Sequence, residues 1–251
     1  MAIDYHHGAN RHTLEGAFAA LSKLLGDQKP GSLLDVGCGT GTWLKAAQEL
    51  GVPEVFGVDG VAVSEGDFLV PKKLFRLVNL EHDWKLERRF EVALCLEVAE
   101  HLSAEASPIL VRSLVAHADM IFFSAACPGQ EGEHHVNCQW PIYWQDLFNR
   151  EGFCCDDSPR WRLWEDERIE PWYRQNLFMA TKDAGQAGSE PRIQRALHPS
   201  MFAGNAMPDM SRIRPGIIAQ VEQGSQSIGW YLSIPFRGML AKLRRAGKTA
   251  K

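Results

Sequence analysis

The sequence predicts an α/β protein built on a doubly wound sheet of seven strands. Three observations carry this expectation. Between Ser32 and Lys182 short apolar runs alternate with helical stretches. The first run passes straight into a glycine-rich turn and then a helix, and the second run ends on an acid. Strand, glycine turn, helix and acid-tipped strand in that order form half of a sheet that binds a nucleoside at its carboxyl edge.

The elements follow in order. Residues 12–25 place Leu14, Phe18, Leu21 and Leu25 three and four apart, the period of an amphipathic helix, and Gly26 and Pro30-Gly31 end it. Strands are expected at 33–36, 55–58, 74–78, 92–96, 120–124, 153–156 and 176–181, with helices at 43–50, 104–118 and 143–150. Residues 183–228, rich in Gly, Ser, Pro, Gln and Asp, read as a linker or loose extension. The expected organisation is therefore an N-terminal helical segment (1–30), a ligand-binding domain (31–182), a linker (183–228) and a C-terminal helical extension (229–251).

The 251 residues are 45% hydrophobic and 23% charged, enough for one sizeable core. No window approaches the ~18 consecutive apolar residues of a membrane span, and the first twelve residues lack the apolar stretch of a signal peptide. A net charge of -4 argues against a globally basic nucleic-acid binder. The six cysteines include no C-x-x-C pair and read as reduced thiols. The expected compartment is the cytoplasm.

The stretch Asp35-Val36-Gly37-Cys38-Gly39-Thr40-Gly41 carries most of the chemistry. Glycines there let a ligand approach the backbone closely. Asp59, 18 residues after Gly41, can accept the hydroxyl hydrogens of a ribose from the next strand tip. A dinucleotide fingerprint would need glycine at position 42, which is Thr42. The acid two residues before Gly37 suits a ligand with a cationic end and would repel a pyrophosphate.

These residues resemble motif I of the class I S-adenosylmethionine-dependent methyltransferases, and the resemblance extends over residues 12–182. It implies a Rossmann-like, mostly parallel sheet, with S-adenosyl-L-methionine as cofactor and S-adenosyl-L-homocysteine as product. Asp59 matches the family's ribose-binding acid. Asn79-Leu80 stands where a polar-apolar pair flanks the adenine, with Asn79 where many relatives carry Asp. Glu97-Val98-Ala99-Glu100-His101-Leu102 resembles the loop after the fourth strand. The implied cofactor contacts are Asp35, Gly37, Gly39, Gly41, Asp59, Asn79, Leu80 and Glu97.

Methyl transfer to an alcohol calls for a base beside the cofactor. His101 stands on one strand-end loop, although a histidine there can instead cap or orient the loop. The loop 127–141 holds Glu131, Glu133, His134, His135 and Asn137, and resembles an "H-H-x-N-x-Q-W-P-x-Y-W" segment in a subgroup of bacterial methyltransferases. The candidate catalytic residues are His101, His135 and His134. A divalent metal on His134, His135, Glu131 and Glu133 is not favoured, because adjacent histidines on extended chain point to opposite faces. Five tryptophans from Trp140 to Trp172 suit either a sugar-stacking wall or a core.

From Phe236 to Lys251 there are six basic residues and no acidic one. With Leu232, Phe236, Met239, Leu240 and Leu243 on one face, this segment reads as a basic amphipathic helix. Its expected use is peripheral contact with an anionic membrane at the inner face; packing on the domain or a homodimer are the competing uses. The string from Ser225 to Arg237 resembles the ending of many bacterial cell-surface glycan enzymes. The expected function is O-methylation of a sugar or glycan precursor. Methylation of a soluble small metabolite, or a membrane-associated binding module without turnover, are the alternatives.

Overall fold

The computed structural model describes residues 13–27 and 29–201. A seven-stranded sheet runs β1 (Ser32–Val36), β2 (Glu54–Asp59), β3 (Phe75–Leu77), β4 (Phe90–Leu96), β5 (Ala118–Ser124), β6 (Phe153–Asp156) and β7 (Phe178–Lys182). Its spatial order is β3-β2-β1-β4-β5-β7-β6, and only β7 runs antiparallel to both its neighbours. The expected mostly parallel, doubly wound sheet is therefore present. The chain winds outward in one direction from β1 to β3 and in the other from β4 to β5. The switch between β1 and β4 opens a crevice at the carboxyl ends of the strands, where ligands bind in such sheets.

The strands explain why both faces must be covered. In β1 Leu33 packs into one apolar cluster while Leu34 and Val36 pack into the other, and Phe122 and Phe123 of β5 divide the same way. One face is covered by α3 (Ser107–His117) and α4 (Pro141–Arg150), through Leu110, Leu114, Trp144 and Phe148. The opposite face is covered by α1 (Leu14–Leu25), α2 (Thr42–Glu49), α5 (Ser158–Leu163) and α6 (Pro171–Asn176), through Leu21, Leu44, Leu163 and Tyr173. Thr13 caps α1 by accepting the Gly16 amide at 2.9 Å, worth about 1 kcal/mol.

The structure departs from the sequence reading in two places. The six-residue helices α5 and α6 fall between the expected strands at 153–156 and 176–181, where no helix is expected from the sequence, because six residues are too few to establish a period. Residues 183–201 are no loose linker: Ile193 and His198 are buried. The Ile193 amide donates to Gln145 Oε1 at 2.9 Å, Arg160 donates to the Gln194 carbonyl at 2.8 Å, and the His198 amide donates to Gln175 Oε1 at 2.8 Å. Side chains of the domain thus hold a segment whose own backbone pairing is confined to turns at 183–189 and 198–201. The rest of the expected linker, the basic segment 229–251 and the 225–237 string lie outside the described residues.

Candidate active site

A cavity of about 1470 Å³ occupies the crevice. One end is made by the turn after β1. Gly37 sits at φ +78°, and a Cβ there would stand 2.2 Å from Val98 Cγ2, so no other residue fits between the turn and the β4 loop. The turn is tied to β2 through the Gly37 amide, which donates to the Val58 carbonyl at 2.8 Å. Asp59 holds it from the side. One carboxylate oxygen accepts the Gly39 amide and the other the Val61 amide, each at 2.8 Å.

Asp35 lies beneath, buried, with Oδ2 lacking a hydrogen-bond partner among the described residues. Burial and then the nearby Asp59 charge push its carboxyl up to about 8. A cation entering the cavity reverses that balance by favouring the carboxylate. Asn79 and Leu80 line the same end, Leu80 buried and Asn79 exposed with its Oδ1 accepting the Glu81 amide at 3.0 Å. Gly41 does not line the cavity. It begins α2 in a left-handed conformation, where an added Cβ would meet Val70.

The other end is built from side chains. The β4 loop and the loop after β5 are joined where the Val136 and Asn137 amides both donate to the Glu100 carbonyl, at 2.9 and 3.0 Å. Asn137, itself buried, donates to Ser107 Oγ at 2.9 Å and so pins the second loop to α3. This joint brings the His101 and His135 rings to a centroid separation of 5.1 Å, edge to face. Coordinating atoms of Glu100, His101 and His135 all lie within 4.8 Å of one another. His134, in a left-handed conformation (φ 56°), stays exposed on the rim outside this group. Burial, with His135 beside it, pulls the His101 imidazole down to about 4, so it is neutral at neutral pH.

Glu97 stands between the two ends at φ 55°, a strained conformation for a side chain this long. Its carboxylate accepts Gln130 Nε2 at 2.7 Å and Asn176 Nδ2 at 3.1 Å, and burial raises its pKa against those hydrogen bonds. Glu97 was expected from the sequence, but its partners were not. Asn176 is 79 residues away at the end of α6, and only the fold brings the two together. Trp172 and Tyr173 of α6 also line the cavity. Of the five tryptophans from 140 to 172, Trp172 alone lines it, and Trp144 is core.

A methyltransferase domain model matches residues 8–168, about two thirds of the chain and nearly all of the sheet. The chain belongs to the methyltransferase domain family. The chain is also similar to solved structures. DesVI of Streptomyces venezuelae is 14% identical over 67% of this chain and 91% of its own, with a TM-score of 0.51. The methyltransferase domain of bacterial CtHen1 is 15% identical over 68% of this chain and 100% of that one, with a TM-score of 0.48. The plantazolicin methyltransferase BpumL, solved with S-adenosylhomocysteine, is 14% identical over 67% and 82%, with a TM-score of 0.45. Comparison with curated proteins finds no match. Among the described residues no helix is long and apolar enough to cross a membrane.

Proposed function

We propose that this methyltransferase takes S-adenosyl-L-methionine as methyl donor and methylates a hydroxyl of a sugar-type acceptor, in a step of glycan biosynthesis. The observation that carries this reading is one cavity with two unlike ends. The glycine turn, Asp35 and Asp59 lie at one end, and Glu100, His101 and His135 at the other. The first end fits the cofactor. The Gly37-Cys38-Gly39 turn lines the cavity, the Asp59 carboxylate lines it as an acceptor type suited to ribose hydroxyls, and Asp35 supplies a buried carboxyl that a cation would ionise.

Bound there, S-adenosylmethionine supplies an electrophilic methyl group on a sulfonium. The chain's own residues then have two tasks. Walls around the crevice align donor and acceptor, a contribution that can reach ~7–11 kcal/mol of the barrier. The imidazole pair and Glu100 polarise the acceptor O–H, help that an amine acceptor needs far less. A sugar-type acceptor is supported by a lining rich in hydrogen-bonding side chains, among them Gln130, Glu131 and Glu133, beside the aromatic face of Trp172.

The test is production of S-adenosylhomocysteine by the purified full chain with methyl-labelled cofactor and matched panels of sugars, amines and thiols. Label is expected in ether-linked methyl groups on the sugar panel. Turnover confined to amines or thiols would overturn the oxygen assignment, and saturable cofactor binding without turnover on cell-surface glycan precursors would favour a binding module.

A further inference from the structure

We propose that Glu100, His101 and His135 form a binding site for a divalent first-row transition cation at the acceptor end of the cavity. This inference rests on the reading above only for what the ion would act upon, not for its binding.

Three kinds of observation converge. The first is geometric: the coordinating atoms of the three residues lie within 4.8 Å of one another. Ligands at about 2.0–2.2 Å from one ion in a tetrahedral arrangement stand roughly 3.3–3.6 Å apart, so the three side chains close on an ion by drawing in no more than about 1.5 Å. The two loops that carry the ligands are already fixed to each other by the paired amides on the Glu100 carbonyl.

The second is a poorly satisfied group. Glu100 is fully buried, and neither carboxylate oxygen makes a well-formed hydrogen bond among the described residues, although the Glu100 and Ala126 amides and the Glu97 side chain stand near it. A buried carboxylate so weakly satisfied is costly, and such groups are ordinarily paired or coordinated to a metal. The carboxylate lines the cavity together with both histidines.

The third is the support of His135. Its Nδ1 lies 3.1 Å from the Gln130 carbonyl oxygen, a contact that requires Nδ1 to donate and leaves the Nε2 lone pair free for a cation. Gly132 makes room for this ring: a Cβ there would stand 2.1 Å from His135 Nε2. The sequence argument against a metal concerned the adjacent pair His134 and His135. In the structure His134 stays exposed on the rim, and the second imidazole of the group comes from the other loop as His101.

Two imidazoles and one carboxylate suit manganese, iron, cobalt or zinc better than the all-oxygen shell that calcium or magnesium favours. Three protein ligands leave coordination positions facing the cavity, as in catalytic rather than structural sites. An acceptor hydroxyl bound there would be made more acidic by the ion rather than by an imidazole.

The experiment uses the full chain after chelator treatment and dialysis. Mn(II) is titrated and followed by the electron paramagnetic resonance of the free ion, and Co(II) by its visible absorption. One saturable site per chain is expected, with a cobalt spectrum of mixed nitrogen and oxygen ligation. Glu100→Gln and His135→Ala should each weaken Mn(II) binding at least 10-fold. Gly132→Ala, which keeps all three ligands, should weaken it by displacing the His135 ring. Circular dichroism and S-adenosylmethionine titration on the same samples report folding and the cofactor end.

No saturable Mn(II) or Co(II) binding by the wild-type chain, or wild-type affinity in both ligand variants, overturns the site. Metal binding without cofactor binding would instead strike the methyltransferase reading and leave the metal site standing.

Discussion

The two ends of the cavity are built on opposite principles. The cofactor end is backbone geometry within one βαβ unit: Asp35 to Asp59 spans 25 residues, and its shape depends on a missing Cβ at Gly37. The acceptor end is assembled from side chains on three separate segments, with Glu97, Gln130 and Asn176 meeting across 79 residues. The first end should therefore be intolerant of added atoms, because turn, ligand and β4 loop compete for one space. The second should tolerate shape changes better but fail when a polar group is removed.

The largest expected effect follows from this difference. Gly37→Ala forces a left-handed residue against Val98 and should lower stability by about 2–4 kcal/mol. Chemical denaturation measures it, together with loss of cofactor binding. A stable variant that still binds would show that the turn has slack the structure does not display.

Removing the imidazole of His135 or His101 should reduce turnover by roughly 10²-fold, with cofactor affinity near that of the wild type. If both variants kept full turnover with the true acceptor, the acceptor end would be misassigned. Asp59→Ala should weaken cofactor binding by about 1.5–3 kcal/mol, the worth of charge-assisted hydrogen bonds. Calorimetry checks this, and unchanged affinity in a folded variant would rule out the ribose contact.

The smallest effect per step is a pH slope, at most about 1.4 kcal/mol for each pH unit. Asp35 titrates near 8 in the folded chain and near 3.8 unfolded. Between those values the folded state holds a proton the unfolded state has lost, so stability from this group falls as pH rises from about 4 through 8. Denaturation midpoints across that window should show a shallower decline for Asp35→Asn than for the wild type. Identical slopes would mean that Asp35 is ionised without a ligand.

The same contrast explains what the sequence could reveal. The glycine turn and Asp59 were legible because their spacing is local, and the sheet was legible because each strand is a bounded apolar run. Gly41 belongs to the same glycine pattern and also starts α2, a role the spacing does not announce. Glu97, His101 and His135 were identifiable one by one, but their grouping depends on the Val136 and Asn137 amides meeting Glu100. Nothing in the spacing announces that joint. Asn176 was read as part of a strand, and only the fold turns its amide toward Glu97. The packed segment 183–201 escaped notice because side chains of α4, α5 and α6 hold it, and composition alone resembles a linker.

The claim that the ends are separate is tested most directly by a double-mutant cycle read through S-adenosylmethionine affinity. Calorimetric titrations of the wild type, Asp59→Ala, His135→Ala and the double variant complete it. The account predicts that His135→Ala stays within about 0.5 kcal/mol of the wild type and that the double variant matches Asp59→Ala, leaving a coupling energy below about 0.5 kcal/mol. A coupling above about 1 kcal/mol, or a His135→Ala loss as large as that of Asp59→Ala, would contradict it and make the cavity one cooperative site.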